Sequence, residues 1–242
     1  MKKFSIIIPV YNERATVATL LDAVFAAPLP AGLEREVIIV VGKSDDGTEE
    51  IVARYAQRAV IIHESEPRGK GAAVRAGLMH VTGDIVLIQD GDLEYKPSEY
   101  SKVLAPLLEG KCDVVFGSRT LGHEQHWQFR RFGGFERLYG LLVNFGGVLF
   151  TNMFNALYGT RLTDGATMYK VFRAKDLKAI TLKSDGFDYD WEISGKLAKK
   201  GLRFADVPVS YKARSRAEGK KIRFWRDGWR VLSAIVRYRF GD

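Results

Sequence analysis

Along the first half of the chain, short unbroken apolar runs alternate with stretches of helical periodicity. Residues 4–8, 37–41, 60–63, 85–89 and 114–117 are apolar runs of strand length. Between them, residues 13–26, 46–58, 70–81 and 97–108 repeat apolar positions every three or four residues. Ser44, Asp45 or Asp46 is placed to cap the second of these helices, and Pro97 falls in the first turn of the fourth. Continuous apolar strands separated by helices predict an α/β fold with a parallel sheet covered on both faces. Ligands of such sheets lie beyond the carboxyl ends of the strands. The loops at 9–13, 42–46, 64–70, 90–95 and 118–119 are therefore where chemistry is expected.

The second half is less regular. Residues 131–158 read as an apolar helix broken at Gly146-Gly147. Strands are expected at 168–172 and 203–207, with a helix at 190–200 ended by Gly201. Residues 222–240 form a basic helix whose apolar positions Ile222, Trp225, Trp229, Leu232 and Val236 recur at spacings of three and four. The 23 residues 138–160 carry no charge, enough to cross a bilayer, but are interspersed with Gly140, Asn144, Asn152 and Asn155.

Composition narrows the class. The chain has 242 residues, 46% hydrophobic and 27% charged, which suits a globular α/β protein and excludes disordered or collagen-like chains. Cys112 is the only cysteine, so no intrachain disulfide forms and a reducing compartment is expected. The first apolar run contains Pro9 and lacks a small-residue cleavage site, so it makes a poor signal peptide. The net charge of +8 is concentrated: residues 212–239 hold ten Lys and Arg against Glu218 and Asp227. Such a tail fits an anionic partner or a solvated helix face. No nucleic-acid-binding motif surrounds it, so no nucleic-acid partner is expected.

The densest chemistry follows the fourth apolar run. Asp90, Asp92 and Glu94 stand within five residues. Carboxylates this close raise one another's pKa unless a cation lies among them. They read either as a solvated acidic turn or as hard oxygen ligands for Mg²⁺ or Mn²⁺. A second signal, Arg68-Gly69-Lys70-Gly71, puts glycines and cations at a strand-to-helix junction. It reads either as helix initiation or as a phosphate cradle. It is neither a Walker A loop nor a GxGxxG fingerprint. His63 and His80 stand alone, and His123 and His126 lack zinc-protease spacing. No serine sits in a GxSxG elbow.

In their joint order the motifs resemble family-2 glycosyltransferases of the GT-A fold. More narrowly, they resemble the dolichyl- or polyprenyl-phosphate sugar synthases, such as the dolichol-phosphate mannose synthases. The similarity runs through Ile8-Pro9-Val10-Tyr11-Asn12-Glu13, Asp46-Gly47-Thr48, Gly69-Lys70-Gly71, Asp90-Gly91-Asp92-Leu93-Glu94 and Gly117-Ser118-Arg119. It continues through Leu162-Thr163-Asp164, Tyr169-Lys170-Val171, Val207-Pro208-Val209 and Glu218-Gly219-Lys220. The resemblance implies a mostly parallel GT-A sheet flanked by helices, with C-terminal amphipathic helices. It implies one domain over 1–242: a nucleotide-sugar half at 1–120, an acceptor half at 121–211 and a basic tail at 212–242. Pro9, Tyr11, Glu13, Asp46, Lys70, Arg214 and Lys220 would bind the nucleotide sugar. Asp90 and Asp92, the expected catalytic pair, would hold Mg²⁺ or Mn²⁺ with Glu94. Arg119, Arg131, Asp164, Lys170, Asp190 and Glu192 would form the acceptor side. One departure stands out: relatives carry two adjacent acids after the second strand, where this chain has Val41 and Gly42.

The implied reaction is inverting transfer of a sugar from a GDP- or UDP-sugar to a polyprenyl phosphate. Residues before 138 and after 160 must then meet at one site, so 138–160 is expected to be buried or to lie in the membrane surface rather than cross it. This places the chain on the cytoplasmic face of a membrane, with anionic lipid and a separate anchoring subunit as the partners the resemblance implies. Transfer to a sugar hydroxyl is the competing enzyme reading and would need a base, Asp190 or Glu192. A binding module with a degenerate donor pocket is the non-enzyme reading.

Overall fold

The computed structural model describes residues 2–122, 136–214 and 224–241. The elements run β1 (Lys2–Val10), α1 (Val17–Ala26), β2 (Leu33–Gly42), α2 (Thr48–Ala53), β3 (Val60–Glu64), α3 (Lys70–Leu78) and β4 (Ile85–Ile88). A 3₁₀ turn (Pro97–Glu99) then leads into α4 (Tyr100–Leu108), followed by β5 (Val114–Ser118), α5 (Glu136–Tyr158), β6 (Lys170–Arg173) and α6 (Ala174–Lys178). The chain closes with α7 (Tyr189–Lys199), β7 (Phe204–Pro208) and α8 (Phe224–Phe240).

Seven strands form one sheet in the order β3-β2-β1-β4-β6-β5-β7. Alternate residues of its central strands feed two cores. Phe4, Ile6 and Ile8 of β1, with Ile85 and Leu87 of β4, face α1 and α4. Ile7, Val86 and Ile88 face the opposite layer, which includes Phe154, Trp191 and Ile235 from α5, α7 and α8. Burial on both faces explains why these strands read as continuous apolar runs rather than as alternating ones.

Three expectations change. First, the sheet is mostly parallel, as the resemblance implies, but not throughout: β6 runs antiparallel to both β4 and β5. An isolated four-residue strand carries no sequence signal for its direction. The reversal puts Lys170, the first residue of β6, opposite Phe116 in the middle of β5, at the end of β6 that faces the ligand edge of the sheet. Second, α5 is continuous through Gly146-Gly147. Its C-terminal half is clamped to the fold: Phe154 is fully buried, and the Tyr158 hydroxyl donates to the Ile235 carbonyl of α8 at 2.9 Å. Packing outweighs the modest helix penalty of two glycines. Third, the helices expected from 13 and 46 begin later, at Val17 and Thr48. The residues ahead of them are drawn into loops at the site.

Candidate active site

The carboxyl ends of β1, β2 and β4 converge because these strands are parallel neighbours. Their loops are stitched together by short polar side chains. Ser44 Oγ accepts from Asn12 N at 3.1 Å, and Thr48 Oγ1 accepts from Glu13 N at 2.9 Å. Asp46 accepts from the backbone N–H groups of Arg14 and Thr48, each at 3.0 Å. Asp46 thus joins the first loop to α2. Pro9 lies on β1 beside these loops, and Tyr11 is 43% exposed at their rim.

Asp90 and Asp92 extend from the end of β4 and each meets a cation from a distant part of the chain. Lys70 pairs with Asp90. Arg214 Nη2 donates to Asp92 Oδ2 at 2.8 Å and Arg214 Nη1 to Glu13 Oε2 at 2.9 Å. The segment carrying Arg214 is anchored by Glu94, whose carboxylate accepts from the Tyr211 hydroxyl at 2.8 Å and from Arg214 N at 2.9 Å. Its backbone carbonyl accepts from Lys212 N at 3.0 Å. Glu94, expected among the metal ligands, here holds the 211–214 segment over the acid pair. The structure therefore brings together Glu13, Lys70, Asp90, Asp92, Glu94 and Arg214.

Burial, Asp90 and Glu94 together push the Asp92 carboxyl up to about 7, against the pull of Arg214. A carboxyl raised from its ordinary value near 4 binds more protons in the folded state than in the unfolded one. Its contribution to stability is present below about pH 4 and lost as pH rises through about 7. In EDTA, the wild-type protein is expected to lose thermal stability between pH 4 and 8 by more than Asp92→Asn does. Melting curves of both proteins across that range check this, and parallel curves would contradict it.

A second group of predicted residues lies beside β5 and β6, and it is locked in buried pairs. Arg119 donates to Asp164 from Nε at 2.6 Å and from Nη2 at 2.7 Å, and its guanidinium lies 5.1 Å from the centre of the Tyr211 ring. Against the upward push of burial, Arg119 holds the Asp164 carboxyl below its usual range. Lys170 pairs with Asp190 and donates to the Gly165 carbonyl at 3.2 Å. Burial pushes the Lys170 ammonium down and the Asp190 carboxyl up, each opposed by the other's charge. Glu192 points elsewhere: it accepts from Lys183 N at 2.9 Å, Ser184 N at 2.8 Å and Lys196 Nζ at 2.8 Å, and so pins the loop ahead of α7. Arg131 and Lys220 lie outside the described residues, as do His123, His126 and Ile222.

The glycines of Gly69-Lys70-Gly71 have a packing reason. A Cβ on Gly71 would sit 2.3 Å from the Ser184 carbonyl, and one on Gly69 would sit 2.4 Å from that of Asp185. Gly71 N already donates to the Asp185 carbonyl at 2.8 Å. The start of α3 therefore receives the 184–185 backbone where a phosphate cradle was one of the two expectations. Gly42 is likewise enclosed: a Cβ there would lie 3.0 Å from Pro67 Cβ and 3.3 Å from Tyr11 Cδ2. Val41 is fully buried, so the two positions that depart from the family pattern are filled by packing.

Sequence reasoning did not single out the aromatic wall behind the acids. Tyr95 stacks on Tyr169 with ring centres 4.9 Å apart and meets Tyr211 at 5.1 Å. Neither Tyr95 nor Tyr169 carries an apolar periodicity that would distinguish it from ordinary core.

Residues 5–180 match the family described as Glycosyl transferase family 2. The chain belongs to that family. Glycosyltransferase AglJ of Haloferax volcanii is 30% identical over 96% of this chain and 70% of its own length. The dolichol-phosphate mannosyltransferase of Pyrococcus furiosus is 27% identical, over 90% of this chain and 59% of its own. An undecaprenyl-phosphate 4-deoxy-4-formamido-L-arabinose transferase of Edwardsiella ictaluri is 26% identical, over 89% of this chain and 62% of its own. The chain therefore spans about six- to seven-tenths of these curated relatives. This family-2 chain also shares its fold with glucosyl-3-phosphoglycerate synthase of Mycobacterium tuberculosis. In its UDP complex that protein superposes with a TM-score of 0.71 at 20% identity, covering all of this chain and 81% of the other. The same enzyme with Mg²⁺ and UDP gives 0.69 at 19% identity over all of this chain and 80% of the other. The fold is GT-A: a mostly parallel, helix-flanked sheet with the acid pair at the carboxyl edge.

Proposed function

We propose that this chain transfers a sugar, with inversion, from a GDP- or UDP-sugar to a polyprenyl phosphate at the cytoplasmic surface of a membrane. The observation that carries this reading is the meeting of Asp90 and Asp92 with Lys70 and Arg214 at the carboxyl edge of the sheet. Relatives named for dolichol-phosphate and undecaprenyl-phosphate transfer support the lipid acceptor.

Asp90 and Asp92 suit a divalent cation. They are hard oxygen donors, and burial and mutual repulsion make Asp92 demand positive charge. Among the described residues no three acidic, His or Cys side chains converge tightly enough to enclose an ion. Two carboxylates are what Mg²⁺ or Mn²⁺ takes from protein when phosphate oxygens complete its coordination. Bound there, the ion would neutralise charge growing on the nucleoside diphosphate as it leaves. Lys70 and Arg214 supply fixed positive charge beside the same acids and would act on the same leaving group. Glu13 and Glu94 keep Arg214 aimed at that point, and Tyr11 borders the nucleotide's entry.

A phosphate acceptor is already anionic near neutrality and needs no strong base. A sugar hydroxyl would need one, and both carboxylates considered for that role are engaged. Asp190 is paired with Lys170, and Glu192 is held by three donors on the far side of α7. Arg119 and Asp164 would then shape the acceptor end through Tyr211 rather than by presenting a free guanidinium.

The test is transfer itself: purified protein, Mg²⁺ or Mn²⁺, a panel of UDP- and GDP-sugars, and a short polyprenyl phosphate. A lipid-linked sugar formed from one donor is the expected result. Hydrolysis or hydroxyl transfer without lipid product would reassign the acceptor. Metal-independent silence with every donor would favour a binding module.

The membrane part of the proposal rests on α5 and α8. Leu138, Leu142, Phe145 and Leu149 recur at spacings of four, three and four and are all exposed. On α8, Trp229, Val236 and Phe240 are exposed, Trp229 at 71% and Phe240 at 75%, alongside Arg230, Arg237 and Arg239. Exposed apolar stripes bordered by arginine suit a helix lying in an anionic interface. The helices are joined side by side, with Arg239 Nε donating to the Leu157 carbonyl at 2.7 Å. We expect the protein to sediment with vesicles containing anionic lipid, and Leu142→Glu with Phe145→Glu to weaken this by about tenfold or more. Binding only to anionic vesicles, abolished by salt and indifferent to these changes, would mean that charge alone docks the chain.

A further inference from the structure

Tyr189 opens α7 and is 1% exposed, and its hydroxyl has no hydrogen-bond partner among the described residues. Other tyrosines of the two cores differ. Tyr95 reaches Thr167 Oγ1 at 3.2 Å, Tyr100 reaches Gln89 Oε1 at 3.0 Å, and Tyr169 reaches the Lys96 carbonyl at 3.1 Å. Tyr211 and Tyr238 are also bonded, to Glu94 and Ser184. A buried hydroxyl without a partner is costly, and phenylalanine would pack in its place without that cost. The hydroxyl therefore calls for a partner that the described residues do not supply.

The surroundings indicate which partner. Tyr189 packs against the first turn of α3, where a Cβ on Gly71 would come within 2.7 Å of its own Cβ. Lys70 Nζ lies 5.9 Å from the centre of its ring, and the same Lys70 pairs with Asp90. The next residue, Asp190, pairs with Lys170. The charges of Asp190 and Asp90 both bear on the phenol, adding to burial in raising its pKa well above normal. Tyr189 thus lies beside both the Lys70–Asp90 pair and the Lys170–Asp190 pair, the two groups that the proposed reaction assigns to donor and acceptor. The phenol itself is neutral and brings no charge of its own to hold a phosphate. A neutral hydroxyl that both donates and accepts is complementary to another hydroxyl.

We infer that the Tyr189 hydroxyl hydrogen-bonds a hydroxyl of the sugar being transferred, fixing it between the Lys70–Asp90 and Lys170–Asp190 pairs and helping to select it. This rests on the sugar-transfer reading above. Sites that hydrogen-bond a substrate hydroxyl discriminate strongly against ligands lacking it.

Tyr189→Phe removes only the oxygen. Calorimetric titrations with Mn²⁺ present would compare UDP-glucose with UDP, and GDP-mannose with GDP, on wild type and variant. We expect the variant to bind the recognised sugar nucleotide about tenfold more weakly. Affinity for its nucleoside diphosphate should change by less than about twofold. In turnover the donor KM should rise while the acceptor KM holds, and the melting temperature should stay level or increase. Unchanged sugar-nucleotide affinity would overturn the inference, as would an equal loss for the diphosphate alone. A rise confined to acceptor KM would place the hydroxyl on the lipid phosphate instead, and a lower melting temperature with normal binding would make its role structural. Wild-type protein that binds none of the four probes would overturn the donor reading itself.

Discussion

Asp92→Asn is expected to lower kcat by about a hundred- to a thousandfold, the usual cost of removing one preorganised electrostatic group from a transfer site. The substitution keeps the shape of the side chain and deletes its charge. Arg214 would keep its two bonds to Glu13, at 2.9 and 3.3 Å, and Glu94 would keep its hold on the 211–214 segment. The fold should therefore survive, and the loss should appear in turnover and in metal dependence. Steady-state rates against Mn²⁺ concentration check this. A variant with near-normal kcat and unchanged metal activation would remove Asp92 from the proposed chemistry. Asp90→Asn should fall in the same direction and would also free Lys70 from its pair.

Lys170→Met is expected to be the most destabilising single change at the site. It would leave Asp190 buried opposite an apolar side chain. Removing one partner of a buried pair costs about 3–5 kcal/mol. For a chain of this size that is a fall in melting temperature of about 6–20 °C. Adding Asp190→Leu should restore much of the loss, because two apolar groups can occupy the volume without a buried charge. Activity should not return with stability, since the pair borders the proposed path of the sugar. Melting curves and turnover of the single and double variants separate the two roles. Additive destabilisation in the double variant would show that the two groups do not act as a pair.

Much of the framework was legible along the chain because it is local. The continuous apolar runs at β1, β2, β4 and β5 announce strands buried on both faces, and helical spacing between them announces the covering layers. The acid pair after β4 was legible for the same reason: a buried strand must deliver its next polar residues to the sheet edge. The family resemblance extended this by grouping Arg214 with the acid pair, a meeting of distant residues that local pattern could not foresee.

Other features depend on groups far apart in sequence. Nothing in the four residues of β6 states that they run against β4 and β5, yet that direction carries Lys170 to the ligand edge. The glycines at 69 and 71 resemble a phosphate loop, but the 184–185 backbone occupies the space they leave. Glu94 reads as a third ligand until Tyr211 and Arg214 are seen to use both its oxygens. Glu192 reads as a base until its three donors are found. Tyr189 reads as core until its hydroxyl is found unpaired among the described residues. By itself the sequence determined which residues are apolar, helical or acidic, because those properties are local. Only the tertiary structure decided which polar groups are satisfied and which remain open, because hydrogen bonds and charge pairs are properties of three-dimensional neighbours.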